Sequence, residues 1–305
     1  MGISKKTCRE VFDIVSGSGI SSRKEISEKL GISMVAVHNA VEILVSRGLL
    51  SVEKDSLHNT SPRGRKSEDV VVSRERLALL VDFCKKNIYF SISPLCSRIG
   101  SFEIISYSDM LDAEINFDIA ASEIIKFIER NNAKPSFVAI AVPTFDDNFS
   151  VKDCKAALSK VGLSPDIIVS GASAASELCS SLSNERFAFV SIDNRAWGCH
   201  SAEPERMIAW DSIKVGAHHG ESFASVIQYE ADDQNLSIYT NRFIGAIDSV
   251  LSPDRIFVSA TALPEAVVEN LKKNDKISDI SAEMPVLNGL LRLAKDRIFQ
   301  ETFDN

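Results

Sequence analysis

Residues 21–50 read SSRKEISEKLGISMVAVHNAVEILVSRGLL, and the stretch divides at Gly31-Ile32-Ser33. Ahead of the division, Ser21 or Ser22 can cap a short helix in which Ile26 and Leu30 lie four residues apart, and Gly31 ends it tightly. Beyond it, Ser33 caps a second helix that closes at Gly48. Two short helices joined by Gly-Ile-Ser form a helix-turn-helix pattern. On the second helix Val37, Val41 and Leu44 share a packing stripe. Val35, Asn39, Glu42 and Ser46 point the other way, with Ala36 and His38 flanking them. In such pairs the N-terminal part of the second helix enters the major groove. Ser33, Val35, Ala36, His38 and Asn39 are therefore the expected DNA-facing residues. Asn39 suits an adenine edge, and His38 or Ser33 a phosphate or base. Glu42 is an objection, since it would repel a nearby phosphate.

Outward from this core, residues 5–16 form a helix through Val11, Phe12 and Val15, ended by Gly17–Gly19. On the other side come two short β-prone runs, LLSVE and DVVVS. Between them lies SPRGRKSED (residues 61–69), with Arg63, Arg65 and Lys66 around Gly64. Helix, helix-turn-helix, strand, loop, strand is the order of a winged helix, with this cationic knot in the wing. Gly64 lets the wing tip turn, and the arginines beside it can enter a minor groove. Charge supports the division. Residues 1–76 hold 13 Lys and Arg against 10 Asp and Glu, a net of +3; the remainder holds 21 against 32, a net of -11. Only the head is suited to a polyanion.

A chain of 305 residues, 45% hydrophobic and 25% charged, has an ordinary globular composition and room for two or three domains. No apolar run approaches the roughly 18 residues of a membrane span. The N-terminal cations have no apolar core behind them, so no secretory signal is expected. Cys8, Cys84, Cys96, Cys154, Cys179 and Cys199 form no Cys-x-x-Cys pair. That fits reduced thiols in a cytoplasm and argues against a zinc knuckle or a disulfide framework.

From about residue 77 the pattern changes. LALLVDF, IYFSIS and FEIISY read as three strands, followed by the helix FDIAASEIIKFIERN, the buried strand FVAIAVP, the helix KDCKAALSKVG, the strand DIIVS and the helix ASAASELCSSL. FAFVSID opens a second series: strands near 197–201 and 206–210, helices through 222–251, the strand RIFVSA, and helices near 264–273 and 286–300. Two such sets imply a mixed α/β body of two lobes.

At this point the chain resembles the ROK family, a group named for repressors, open reading frames and kinases. GISMVAVHNAVEILVSRGLL is similar to the family's recognition-helix segment, GRK to the turn after its wing, and AIAVPTFDDN to its strand ending in Val-Pro-Gly. The resemblance, to the repressor branch, implies an α/β chain: an N-terminal winged helix-turn-helix and a two-lobed, ribonuclease H-like (actin/hexokinase-like) body. The expected division is 1–75, 76–186 and 187–305. Several family motifs are altered. The first phosphate hairpin, Asp-x-Gly-x-Thr, becomes Asp82-Phe83-Cys84-Lys85-Lys86; the second, DNRAWGCH, keeps only Gly198; the adenosine turn reads Ser259-Ala260-Thr261. Where the family places its catalytic Asp this chain has Gly171, and Ser170 replaces the sugar-contacting Asn. His218 and His219 remain from the zinc loop without the following cysteines. Asp82 and Asp193 read as strand-end carboxylates.

These readings lead to the following expectations. The chain is a DNA-binding transcriptional regulator, expected to be a repressor, with no enzymatic activity, no catalytic residues, no cofactor and no structural metal. Its partners are double-stranded DNA carrying a palindromic operator, and a second copy of itself in a homodimer. The body either binds a small effector, a sugar or sugar derivative, at a site the sequence does not name, or only dimerises. The rivals are an active sugar kinase with an accessory winged helix, and a protein-interaction scaffold without a DNA role.

Overall fold

The head is built from three helices and a small sheet. α1 (Lys5–Ser18) starts at Ser4, whose hydroxyl accepts from the Thr7 amide, and stops at Gly19, with φ 78°. β1 (Ile20–Ser22) leads into α2 (Arg23–Leu30) and α3 (Met34–Ser46); β2 (Leu50–Lys54) and β3 (Glu68–Val72) follow. The sheet order is β1-β3-β2, all antiparallel, with Ile20 opposite Val71 and Leu50 opposite Val72. The computed structural model describes residues 3–54, 68–83, 87–96, 98–106, 116–143, 149–183, 185–192, 197–203, 206–210, 233–260 and 263–304.

The body repeats one pattern. β4 (Leu77–Phe83), β5 (Asn87–Pro94), β6 (Glu103–Ser106), α4 (Phe117–Arg130), β7 (Phe137–Val142), α5 (Val151–Lys160), β8 (Ile167–Ser170) and α6 (Gly171–Leu182) make the first half. β9 (Phe187–Ile192), β10 (Trp197–Glu203), β11 (Arg206–Trp210), α7 (Asp233–Leu251), β12 (Arg255–Ser259), α8 (Glu265–Leu271), β13 (Ile277–Asp279) and α9 (Pro285–Asp304) make the second. The two sheets are ordered β6-β5-β4-β7-β8 and β11-β10-β9-β12-β13. In each, the first three strands in sequence pair antiparallel and the last two join in parallel. β4 and β7 are apolar and buried along nearly their whole length, as befits strands covered on both faces.

α6 and α9 pack on one another and tie the halves together. α9 lies on β4, β5 and β7 of the first sheet, and α6 touches β9 and β10 of the second. The crossing is so close that a Cβ on Gly289 would overlap the Ala174 carbonyl. Chain order groups α9 with the second half, but its partners are the first sheet and the head.

That last contact continues the core across the head. Phe12 of α1 stacks on Phe299 of α9 with ring centroids 5.7 Å apart, and Phe299 stacks on Phe303 at 4.6 Å. Phe12 and Phe299 are both buried, each burial contributing roughly 1.5–3 kcal/mol. Charges frame the stack. Lys295 reaches Asp13 at 3.1 Å, and Arg9 bridges Asp13 and Asp296 while its guanidinium lies 5.1 Å from the Phe299 ring centre. Arg47 donates to the Thr302 carbonyl and sits 4.2 Å from the Phe303 ring centre. Among the described residues no single helix is long and apolar enough to cross a membrane.

Candidate nucleic-acid interface

The pair α2–α3 is fixed by local chemistry. Ser22 and Glu25 form a reciprocal capping box, the hydroxyl accepting from the Glu25 amide at 3.2 Å and the carboxylate from the Ser22 amide at 2.8 Å. Gly31 takes the left-handed conformation, φ 63°, that closes α2. The Ser27 hydroxyl donates to the Ile32 carbonyl at 2.6 Å and holds the turn. Ser33 then caps α3 by accepting from the Ala36 amide. The chain turns through 116° between the two helices, within the range of a helix-turn-helix.

α3 buries Val37, Ala40, Val41 and Leu44 in the head core. Of the residues expected to face DNA, Ser33, Val35, His38 and Asn39 are exposed and Ala36 is half-buried. The Ser33 hydroxyl is engaged as the cap, which leaves Val35, His38 and Asn39 as the open face. Met34, 48% exposed, joins them; sequence reasoning missed it because it directly follows the cap. Glu42 does not stand as a free negative charge. Arg23 holds it at 3.3 Å and also pairs with Glu68 on β3 at 2.9 Å. One guanidinium thus joins α2, α3 and the root of the β2–β3 hairpin. Spacings of 19 and 45 residues gave no sequence signal for it. Lys24 and Lys29 are exposed on α2. β2 and β3 pair from Leu50–Val72 to Lys54–Glu68, so residues 55–67 connect two strands of one hairpin. Arg63, Gly64, Arg65 and Lys66 belong to that connection and lie outside the described residues.

In the body, Ser170 caps α6, its hydroxyl accepting from the Ser173 amide at 3.1 Å, and Gly171 is the first helical residue. Asp82 is buried at the end of β4. Ser259 ends β12, and the amide of Ala260, just beyond it, donates to the Ser281 hydroxyl at 2.7 Å. Residues 84–86, 193–196, Thr261, His218 and His219 lie outside the described residues. Among the described residues no group of three or more His, Cys, Asp or Glu is placed to hold a metal. Burial pushes the thiols of Cys154 and Cys179 up to about 12, so neither is poised as a nucleophile. A surface cleft of about 490 Å3 lies between α4 and α5, bordered by the Asp118–Lys160 ion pair.

No protein-family model and no curated protein matches the chain. Solved structures do. A ROK family transcriptional regulator, a homolog of the E. coli MLC protein, is similar with a TM-score of 0.57 at 12% identity, over 98% of this chain and 99% of that one. The inorganic polyphosphate/ATP-glucomannokinase of Arthrobacter sp. strain KM gives a TM-score of 0.56 at 14% identity, over 72% of this chain and 99% of its own. A ROK family glucokinase from Streptomyces griseus, solved with glucose and AMPPNP, gives 0.53 at 11% identity over the same shares. The mixed α/β body therefore has the fold of ROK regulators and sugar kinases.

This corrects one expectation. The chain was expected to have no enzymatic activity, on the strength of altered positions such as Cys84, Lys86 and Gly171. The body shares its fold with a glucomannokinase and a glucokinase, so the fold gives no ground for excluding enzymatic activity. The physical reason is that one fold hosts several functions, so altered residues at a few positions do not by themselves exclude chemistry.

Proposed function

We propose that the chain is a DNA-binding transcriptional regulator, a repressor in mode, whose head (1–75) is a winged helix and whose body (76–186 and 187–305) has the sugar-kinase fold. The observation that carries this reading is the head itself. A capped helix pair crosses at 116°, its second helix opens Met34, Val35, His38 and Asn39 to solvent, and the adjoining hairpin connection carries Arg63, Arg65 and Lys66. The likeness to a ROK regulator over nearly the whole chain, where the two kinases reach 72% of it, supports the same reading.

A single winged helix gives a DNA interface of only about 600–1,000 Å2. Specific binding at cellular salt calls for two, presented by a two-fold homodimer to the half-sites of a palindromic operator in the cytoplasm. The body is the natural seat of the dimer contact and of a sugar or sugar-derivative effector. The test is sedimentation of the full chain with and without an operator duplex. A dimer bound to one duplex is expected; a tight operator complex of the monomer contradicts the assembly.

The second reading is a sugar kinase with an accessory head, favoured by the body fold it shares with the glucomannokinase and the glucokinase. Incubation with ATP and a panel of hexoses and amino sugars separates the two. Sugar-dependent turnover near one per second establishes the kinase; turnover equal to a protein-free control, together with operator binding, favours the regulator.

A further inference from the structure

We infer that α3 selects A·T pairs through thymine methyl groups, with Met34 and Val35 as the contacts; this rests on the reading of the head as a DNA-binding unit. The thirteen residues of α3, MVAVHNAVEILVS, include no Lys or Arg. Its first turn instead carries Met34 at 48% and Val35 at 69% exposure. Neither is needed for packing, because Val37, Ala40, Val41 and Leu44 already fill the core side of the helix. The neighbouring guanidiniums are committed elsewhere, Arg23 to Glu42 and Glu68, and Arg47 to the Thr302 carbonyl and the Phe303 ring.

The base edges then sort themselves. Guanine offers the acceptors N7 and O6, usually read by a bidentate Arg or Lys, and α3 has neither. Cytosine offers an N4 donor suited to a carboxylate, but Glu42 is held by Arg23. Thymine offers a methyl group that apolar side chains contact, and adenine an N7/N6 pair that an Asn amide matches. Val35 and Asn39 are four residues apart and so lie one above the other along the groove-facing side. Together they fit adjoining thymine and adenine edges. Cations for the phosphates come from α2: Lys29, exposed, and Lys24, exposed and 3.8 Å from Glu28.

The test uses the full-length wild-type chain. Bound duplexes are selected from a random pool, and in the best site each thymine is replaced singly by deoxyuridine, which removes only the methyl group. Affinity is read by fluorescence anisotropy at one salt concentration. The expected result is a half-site rich in A·T where α3 lies, with at least one replacement weakening binding about three- to fourfold, the value of one buried methyl. Val35→Ala or Met34→Ala should bring that ratio toward one. Half-sites fixed on G·C pairs in this segment, or indifference to every deoxyuridine, overturn the inference and leave the DNA-binding reading standing. Retention of no duplex at all overturns both.

Discussion

α3 and α9 are both amphipathic, yet they are used differently. α3 has one partner: Val37, Ala40, Val41 and Leu44 face the head core and the opposite side is open. α9 has two. Leu287, Leu290, Leu291 and Ala294 are buried toward the body, and Lys295, Asp296 and Phe299 reach Asp13, Arg9 and Phe12 of the head. The open helix leaves side chains exposed to solvent; the enclosed one joins the head to the body. The head and the body share one hydrophobic cluster, so a change in the α6–α9 crossing would bear on α1.

The largest expected effect tests that shared core. Phe299→Ala removes a ring stacked on both Phe12 and Phe303, and should cost about 3–5 kcal/mol in urea unfolding of the full chain. A loss below about 1 kcal/mol, far short of a buried aromatic truncation, would show that α9 does not hold the head. Next comes the open helix. Asn39→Ala should weaken the specific complex by roughly 1–3 kcal/mol while thermal stability stays unchanged, since the side chain is exposed. A matching loss of stability would mean that Asn39 is structural.

Arg23, the first residue of α2, comes next. Arg23→Ala frees the Glu42 and Glu68 carboxylates beside the open side of α3. The ion pairs themselves should contribute only about 1 kcal/mol, because both acids are about half exposed; loss of the largely buried Arg23 stem adds to that. Operator affinity should fall, and Glu42→Ala in the same chain should restore part of it. No recovery in the double variant would show that the guanidinium does not act by holding Glu42.

The contrast between the helices also shows what the sequence makes legible. A cap, a stripe and a terminal glycine suffice to place α3, because its burial is one-sided and local. The sequence also yields α9 as a helix over 286–300, but nothing in it ties Lys295 and Asp296 to the head. Their partners lie near residue 10, and only the folded chain brings them together. β1 and β13, three residues each, are too short to show an alternation, and they exist because β3 and β12 offer them a free edge. Met34 escaped notice because exposure at the first turn of a helix leaves no periodic mark. The expectation of no enzymatic activity failed differently: it weighed single positions such as Gly171, whereas the fold is shared with sugar kinases.

The smallest effect concerns Glu177 on α6, half-buried. Its carboxyl is raised above the ordinary value of 4.5 by burial and then by Asp296, with Arg292 opposing. A raised folded-state value means that the protonated form favours the fold. This contribution is complete below the ordinary value and is lost as pH rises through the raised one. Glu177→Gln should therefore gain stability relative to wild type as pH climbs through that window, and keep the gain at neutral pH. Urea unfolding at several pH values between about 4 and 7 reads this directly; a variant gaining nothing across the window would remove Glu177 from the α6–α9 charge network.

The central claim is that the head binds DNA through α3 and the hairpin connection. Fluorescence anisotropy of the full chain on operator and random duplexes across a salt series tests it most directly. Each phosphate contact adds about 0.9 to the slope of log affinity against log salt. Wild type should show a steep salt dependence, and the triple variant Arg63→Ala, Arg65→Ala, Lys66→Ala a slope shallower by roughly 2–3 units with weaker binding. An identical slope in the triple variant, or no salt-dependent binding by the wild type, would contradict the account.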